Sequence, residues 1–208
     1  MIECRWSPLI EPESGVAFVV SPRSGRLLGF PPTVDLDHAS LSPMRRHERL
    51  ADAMRADVLF TDDWEQGYLG VPHAPRSWLM GSTLRVAWLL ARALARWAPL
   101  DRSFQLLDRL AHTVPNRDLS IEQILDSATF AERSFHHAPR TQQCLPRTLL
   151  RFFLFRLGRF PVEANIGVWL PTEMMHAWVS LGGVPLGEER EEVMHYQACL
   201  RFAAAAAS

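Results

Sequence analysis

A proline two residues after a cysteine limits how one long apolar segment of this chain can fold. The segment begins Cys144-Leu-Pro-Arg-Thr-Leu and continues, rich in leucine and phenylalanine, to Gly158. Proline has no backbone N–H and clashes with the preceding turn, so a helix tolerates it only in its first turn. Pro146 therefore places Cys144 at the start of a helix, and Gly158 is a natural C-terminal stop.

This helix is predicted to bury one side and expose its arginines. Its leucines and phenylalanines recur at helical spacing, which is typical of a helix packed against a core. The residues expected to face inward are Leu145, Leu149, Phe152, Phe153 and Leu157, and those expected to face solvent are Arg147, Arg151 and Arg156.

Strand patterns follow the helix and predict an antiparallel sheet. From Pro161 to Val168, every second residue is apolar, which is the period of a strand with one buried face. His176–Leu181 is the second predicted strand, Gly182-Gly183 is its turn, and Val184–Glu188 is a short third strand. A helix beside antiparallel strands indicates the α+β class.

The chain is predicted to divide into residues 1–75 and residues 76–208. In the first part, Gly15–Val20 and Arg26–Phe30 flank a turn, and Ser42-Pro43 starts a helix. A hairpin followed by short helices resembles a small winged-helix-like module. An equally good interpretation makes this part the first layer of a single domain.

The residues between 76 and 140 are predicted to form three helices. Two apolar stripes at helical spacing define the first two, and Ser120 is the predicted N-cap of the third. The stripes are Leu84, Trp88, Ala91 and Ala95, then Phe104, Leu107, Leu110 and Ala111; Ile121, Leu125 and Phe130 follow in the third helix. Such stripes are far more often core than cofactor contacts.

Ala203–Ser208, at the end of the chain, is expected to be loosely held.

The composition excludes several classes of function. With a net charge of -1, the 208-residue chain has no overall field to attract nucleic acid or an anionic membrane. All 22 cationic residues are arginine, which excludes a lysine nucleophile or Schiff base. The apolar stretch Leu84–Leu100 carries three arginines, so it predicts a buried helix and no membrane span. No Gly-x-Gly-x-x-Gly or Walker loop is present, and no cofactor is expected.

Cysteine usage indicates reduced thiols and a cytoplasmic location. The cysteines are Cys4, Cys144 and Cys199, an odd number at wide spacing, and no Cys-x-x-Cys pair suggests zinc. His136-His137 has no cysteine or carboxylate cluster nearby in sequence, so we expect a surface loop and no metal site. The N-terminal residues lack the basic and apolar regions of a signal peptide.

Cys144 and His176 form the pair that favours catalysis. A thiol attacks a carbonyl only as thiolate, and both a helix N-terminus and an imidazolium stabilise that anion. His176 would act as general base, and the Cys144 backbone amide would stabilise an oxyanion, with Gln142 and Gln143 as weaker donors. Each of these residues, taken singly, more often has a structural role. Their order on these elements favours catalysis over structure.

His195 and Cys199 are a lesser rival pair, expected to be structural.

The residue that orients His176 depends on the hairpin register. A two-residue loop at Gly182-Gly183 would bring Glu189 to the His176 face, whereas a longer loop or a bulge would bring Glu188 there. The strand pattern leaves both residues open.

Four motifs follow one another along the chain: Cys144-Leu-Pro-Arg-Thr-Leu, Ile166-Gly-Val168, His176-Ala-Trp-Val and the acidic residue after the next turn. In this order they resemble the lasso-peptide maturation B proteins, which contain a transglutaminase-like, papain-type cysteine peptidase domain. The resemblance covers roughly the last third of the chain. It implies a peptidase that removes the leader from a ribosomally made precursor, before a partner ATP-dependent macrolactam synthetase closes the core peptide.

The resemblance also implies residue roles. Cys144 matches the nucleophile, His176 the base and Glu188 the third member, where the family usually has Asp. Residues 1–75 would correspond to a fused leader-recognition domain, binding the leader as an added strand near Val16–Val20 and the following helix. Acyl transfer by the same triad is the enzymatic alternative. A non-catalytic module that binds the precursor is the alternative outside the enzymes.

Overall fold

The computed structural model describes residues 2–23, 25–30, 81–115, 118–134, 144–170, 174–188 and 193–204. These residues form four helices and eight strands. The helices are α1 (Gly81–Trp97), α2 (Leu100–Thr113), α3 (Ile121–Ser134) and α4 (Cys144–Leu157). The strands are β1 (Ile2–Trp6), β2 (Leu9–Ile10), β3 (Ala17–Val20), β4 (Leu27–Phe30), β5 (Glu163–Trp169), β6 (Met174–Leu181), β7 (Val184–Pro185) and β8 (Gln197–Ala204).

An antiparallel sheet of five strands, in the order β1-β8-β5-β6-β7, supports the candidate site. The strand predicted after Pro161 is confirmed as β5, and its apolar residues Val162, Ala164, Ile166 and Val168 are fully buried. The expectation of one buried face is wrong, because Asn165 and Gly167 on the other face are buried as well. The sheet also contains β8, which the strand patterns did not reveal. The expectation of a loose tail from Ala203 is wrong at its first two residues, since Ala203 and Ala204 pair with Glu3 and Ile2 of β1.

The predicted N-terminal hairpin is confirmed as β3 and β4, which form a second sheet with β2 in the order β2-β3-β4. Buried residues of this small sheet join the same core as the helices. The Pro22 carbonyl accepts a hydrogen bond from the Asp101 backbone N–H at the start of α2. Strand β1, from the same N-terminal part, pairs with β8 in the large sheet. The helix predicted from Ser42-Pro43, on which a winged-helix-like module depends, lies outside the described residues.

The helices pack through the faces that the apolar stripes predicted. Leu84, Trp88, Phe104 and Leu107 are almost fully buried. Phe104 of α2 stacks on Phe202 of β8 at 4.4 Å and meets Phe152 of α4 edge-on at 5.1 Å, so two helices and the sheet converge on one ring.

The predicted N-cap of α3 is also confirmed. The Ser120 hydroxyl accepts a hydrogen bond from the Gln123 N–H, and the Gln123 side chain accepts one from the Ser120 N–H. This is a reciprocal capping box, which satisfies backbone donors that the first turn of a helix otherwise leaves unpaired.

The prediction that the α4 arginines face solvent is wrong for Arg151 and Arg156, which are 1% and 7% exposed. Each guanidinium meets a carboxylate from another helix. Arg156 donates from Nε to Asp108 at 2.8 Å, and Arg151 donates from Nε to Glu132 at 2.9 Å. A buried charge is tolerated when it is paired and hydrogen-bonded, and these partners lie far away in sequence.

Within the described part of the chain, no helix combines the length and hydropathy that a membrane span requires. The apolar stretch Leu84–Leu100 is divided between α1 and the first residue of α2.

Candidate active site

Cys144 is the first residue of α4, as Pro146 predicted. Its sulfur is in no disulfide bond and its side chain is buried, with 2% of the residue exposed. Helix α4 packs against strand β6, which carries His176. The N-terminal end of a helix carries partial positive charge and backbone N–H groups without partners inside the helix, and both favour an anion. The site therefore offers a place where a thiolate and an oxyanion can be stabilised. Gln142 and Gln143 lie outside the described residues.

His176 lies on β6, opposite Gly167 of β5, and is 3% exposed. Its Nε2 lies 2.7 Å from Oε2 of Glu188, within hydrogen-bond distance. Because the carboxylate engages Nε2, proton exchange with a reacting group falls to Nδ1. The rings of Trp178 and Tyr196 flank the imidazole at centroid distances of 6.1 Å and 5.2 Å. These contacts hold the imidazole in one orientation.

Gly167 explains why the Ile-Gly-Val and His-Ala-Trp motifs occur together. A Cβ atom at position 167 would lie 2.8 Å from Cη2 of Trp178, closer than real Cβ contacts come. The glycine leaves the space in which the Trp178 indole lies against β5. That indole is nearly parallel to the His176 ring, with 8° between the two planes. The two motifs together position the imidazole.

The loop between β6 and β7 has two residues, yet Glu188 is the acid in contact with His176. Leu181 pairs with Val184, as a two-residue loop requires, and both glycines have positive φ. If the strand alternation continued, a two-residue loop would bring Glu189 to the His176 face. The prediction that a two-residue loop directs Glu188 away from His176 is therefore wrong. The predicted strand Val184–Glu188 is also too long.

The alternation fails because the strand ends before it reaches the acid. Strand β7 stops at Pro185, and the Leu186 N–H still bonds to the Val179 carbonyl of β6. Gly187 then adopts φ 73°, a left-handed conformation that turns the chain out of register. Glu188 thereby reaches His176. Glu189 lies outside the described residues.

Three residues that the sequence patterns did not assign to the site, Arg147, Arg151 and Glu132, form a network on the other side of Glu188. The Arg151 Nη1 donates to Glu188 Oε1 at 2.8 Å. The same guanidinium donates from Nε and Nη2 to the two oxygens of Glu132, at 2.9 Å and 3.2 Å. Arg147 also donates to Glu132, at 3.1 Å. The available signal was spacing, because Cys144, Arg147 and Arg151 lie at i, i+3 and i+7 on one face of the helix.

These contacts stabilise the ionised form of Glu188. Burial by itself raises the pKa of this carboxyl. The His176 hydrogen bond and the positive charges of His176, Arg151 and Arg147 oppose burial, and the net effect holds the pKa below its ordinary value of 4.5. Glu188 is therefore an anion at neutral pH and can orient and stabilise an imidazolium.

The other two cysteines have environments that disfavour thiolate. Burial raises the pKa of Cys199 to about 12, although a hydrogen bond with the backbone of Val168 opposes the shift. Burial, followed by the negative charge of Asp101, raises the pKa of Cys4 to about 12. His195, four residues before Cys199, stacks on Trp169 at 5.2 Å. These features fit the structural role expected for the His195 and Cys199 pair.

Among the described residues, no group of three His, Cys, Asp or Glu side chains could hold a metal ion. His136-His137 lies outside them.

A family model described as the transglutaminase-like superfamily, Transglut_core3, matches residues 87–201. This range covers more than half of the 208 residues and contains Cys144, His176 and Glu188. The chain therefore belongs to the transglutaminase-like superfamily. Its domain is consistent with cysteine peptidase or acyltransferase activity, and the mixed helices and antiparallel sheets confirm the α+β class. Comparisons with curated proteins and with solved structures found no match.

Gly187→Ala is expected to lower the free energy of unfolding by about 2–3 kcal/mol, because it adds backbone strain to a steric clash. The added Cβ would lie 3.0 Å from Leu125 and 3.4 Å from the Arg151 guanidinium. Gly183→Ala is the matched control, since Gly183 also has positive φ but no atom lies within 4 Å of the place its Cβ would take. We expect the control to cost about 1 kcal/mol. Urea denaturation measures both values, and equal losses would contradict the role of the Gly187 contacts.

The stability of the protein is expected to fall in acid partly through Glu188. Because folding lowers its pKa, the ionised carboxylate contributes stability that is complete above 4.5, the ordinary pKa, and is lost as pH falls through the lower folded value. Glu188→Gln removes this contribution. The unfolding free energy should therefore change less between pH 7 and pH 3 in Glu188→Gln than in wild type. Denaturation series at both pH values measure the difference, and an equal change in the two proteins would refute it.

Proposed function

We propose that the protein is a cysteine peptidase that removes the leader from a ribosomally made lasso-peptide precursor. The observation that carries the proposal is the 2.7 Å contact between His176 Nε2 and Glu188, beside a helix that begins at Cys144. Membership in the transglutaminase-like superfamily supports a thiol enzyme acting on an amide. The four motifs around these residues support the leader as substrate.

In the proposed mechanism, His176 Nδ1 accepts the proton of the Cys144 thiol, and Glu188 stabilises the resulting imidazolium. The thiolate attacks the carbonyl carbon of the scissile amide. Backbone N–H groups at the start of α4, including that of Cys144, stabilise the oxyanion. The C–N bond then breaks, and the leaving amine takes its proton from His176. The leader remains attached to Cys144 as a thioester.

Water completes the proposed reaction. His176 removes a proton from the water, which attacks the thioester carbonyl, and the thiol and a leader carboxylate are released. The core peptide leaves with a free amine. A partner ATP-dependent macrolactam synthetase would use that amine when it closes the ring.

Leader recognition is proposed at the small N-terminal sheet. Strand β4 pairs with Ala17–Val20 on one edge of β3, and β2 pairs with Ala17 and Phe18 on the other, so little of β3 is left for an added strand. Strand β4 has four residues and β2 has two, which makes β4 the better template for backbone pairing. In the described part of the chain, β3 is the strand that pairs with β4. We therefore propose that the leader adds to the outer edge of β4.

Incubation of the protein with a candidate precursor peptide, with and without the cyclase, tests the reaction by mass spectrometry. We expect separate leader and core peptides, and a leader mass that includes one water. Cys144→Ala should lower the rate of cleavage by at least about 10³-fold. Unchanged cleavage by this variant would refute a catalytic role and favour a binding module. A leader carrying the mass of an added amine would favour acyl transfer.

The two adjacent acids provide a matched pair of variants. Glu188→Gln is expected to lower kcat about 10²–10⁴-fold, because a neutral amide cannot stabilise the imidazolium as the carboxylate does. Glu189→Gln should retain most of the activity. Steady-state kinetics on the same precursor peptide compare them, and the larger loss in Glu189→Gln would assign the third role to Glu189.

The β4 edge is tested with Gly29→Pro. The Ser21 N–H bonds to the Arg26 carbonyl, so alternation along the ladder directs the Gly29 N–H away from β3, towards the outer edge. Proline removes that donor and leaves the bonds to β3, whereas Gly29→Ala keeps the donor as a matched control. We expect leader affinity, measured by fluorescence anisotropy with the full chain, to fall about tenfold in Gly29→Pro alone. Equal affinity in the two variants would exclude this edge.

A shortened chain is a poor test of leader recognition. A chain that starts near residue 80 would lose β1 as well as the small sheet. Because β1 pairs with β8 along its whole length, that truncation would also disturb the large sheet, which carries His176.

A further inference from the structure

A buried network of two arginines and two glutamates connects the nucleophile helix to the third member of the triad. Arg151, which is 1% exposed, donates to both oxygens of Glu132 on α3 and to Oε1 of Glu188. Glu188 in turn uses its other oxygen, Oε2, to contact His176. A single guanidinium thus lies between a carboxylate of the helical layer and the carboxylate of the site.

We propose that Arg151 is a positioning residue for the reaction: its guanidinium, anchored by Glu132, holds the Glu188 carboxylate against His176 and ties it to the helix that carries Cys144. This inference rests on the proposed roles of Cys144 and His176. It adds a fourth and a fifth residue, Arg151 and Glu132, that act through the triad and touch no substrate.

The geometry explains why arginine is needed at position 151. Arginine presents several N–H donors in a rigid planar fork, whereas the lysine ammonium is a compact charge that cannot serve two carboxylates with the same geometry. Here Nε and Nη2 bind Glu132, and Nη1 points to Glu188. The bidentate contact with Glu132 fixes the plane of the guanidinium. That plane then determines where the third donor, and therefore Glu188, must lie.

The charges of the network balance. Arg147 and Arg151 supply two positive charges, and Glu132 and Glu188 supply two negative charges. Glu188 is therefore an anion with a permanently charged partner, Arg151, in addition to its hydrogen bond with His176. Without Arg151, less of the desolvation cost of burying the Glu188 carboxylate would be offset. The carboxylate could also move away from His176 and would then stabilise an imidazolium less.

The backbone of the acid-bearing loop is shaped around the same guanidinium. A Cβ atom at Gly187 would lie 3.4 Å from both Cζ and Nη1 of Arg151. The glycine before Glu188 thus lets the loop approach Arg151 closely, while its positive φ turns the chain towards His176. The loop conformation and the arginine form one arrangement, in which each constrains the other.

Arg151→Lys tests the proposal, and Arg156→Lys is its matched control. Arg156 lies on the same helix, is 7% exposed and pairs with Asp108 of α2, apart from the Glu132 and Glu188 network. The readout is the rate of Cys144 alkylation by iodoacetamide between pH 5 and pH 9, located by peptide mass spectrometry. It needs no peptide substrate, and the high pKa values of Cys4 and Cys199, each about 12, keep those thiols from competing.

In Arg151→Lys, we expect the midpoint of the alkylation profile to rise by about one pH unit, so the rate at pH 6 falls about tenfold. When Glu188 is held less firmly, it stabilises the protonated form of His176 less. The imidazolium in turn stabilises the Cys144 thiolate, so the thiolate forms at a higher pH. With the precursor peptide, kcat should fall and KM should stay near the wild-type value. In Arg156→Lys, the midpoint and kcat should remain at the wild-type values, even though both variants lower the melting temperature.

Glu132→Gln keeps the proposal testable if Arg151→Lys does not fold. It retains the Arg151 charge and weakens the anchor of the guanidinium, so the midpoint should shift in the same direction by a smaller amount. The positioning role would be overturned if the alkylation midpoint of Arg151→Lys equalled that of Arg156→Lys. If Arg151→Lys does not fold, the same comparison is made with Glu132→Gln.

The two readouts separate this inference from the proposed function. A shifted alkylation profile without precursor cleavage in the wild type supports the role of Arg151 and refutes the leader-peptidase function. Cleavage of the precursor by the wild type, together with an unshifted alkylation profile in the variants, supports the leader-peptidase function and refutes the role of Arg151. A wild-type Cys144 that neither reacts with iodoacetamide in this pH range nor supports cleavage of the precursor overturns both.

Discussion

The two contacts of the Glu188 carboxylate are the constraint on which the candidate site depends. One oxygen meets the imidazole of His176 on the sheet, and the other meets the guanidinium of Arg151 on the helix. Burial raises the energy of this anion, so the cationic partners on both sides are what keep it ionised. The carboxylate therefore links the helical layer to the strands, and it fixes the position of His176 relative to the helix that starts at Cys144.

The elements around this link are built to bring its partners together. Pro146 starts α4 at Cys144, and the packing of α4 on β6 brings that helix to the strand that carries His176. Gly167 makes space for Trp178, which lies parallel to the imidazole. Membership in the transglutaminase-like superfamily is consistent with cysteine peptidase or acyltransferase activity, and the fold by itself does not choose between them.

Sequence patterns predicted the features that depend on neighbours in the chain. The start of α4, the N-cap at Ser120 and the β3–β4 hairpin each follow from a few adjacent residues, and the structure has all of them. The choice between Glu188 and Glu189 could not be made this way. It depends on where β7 ends and on the positive φ of Gly187, and strand alternation carries information about neither.

The sequence alone determined which residues have the chemistry for the site, because Pro146 places the thiol at a helix start and the strand period presents His176. The tertiary structure alone decided that Arg151 is buried, that Glu132 anchors it and that Glu188 lies between Arg151 and His176. Arg151 was predicted to face solvent because the sequence of α4 shows that the residue is charged but does not show which carboxylates it will meet. Its partners come from elements 19 and 37 residues away, and electrostatic pairing over such separations exists only once the helices and the sheet have packed.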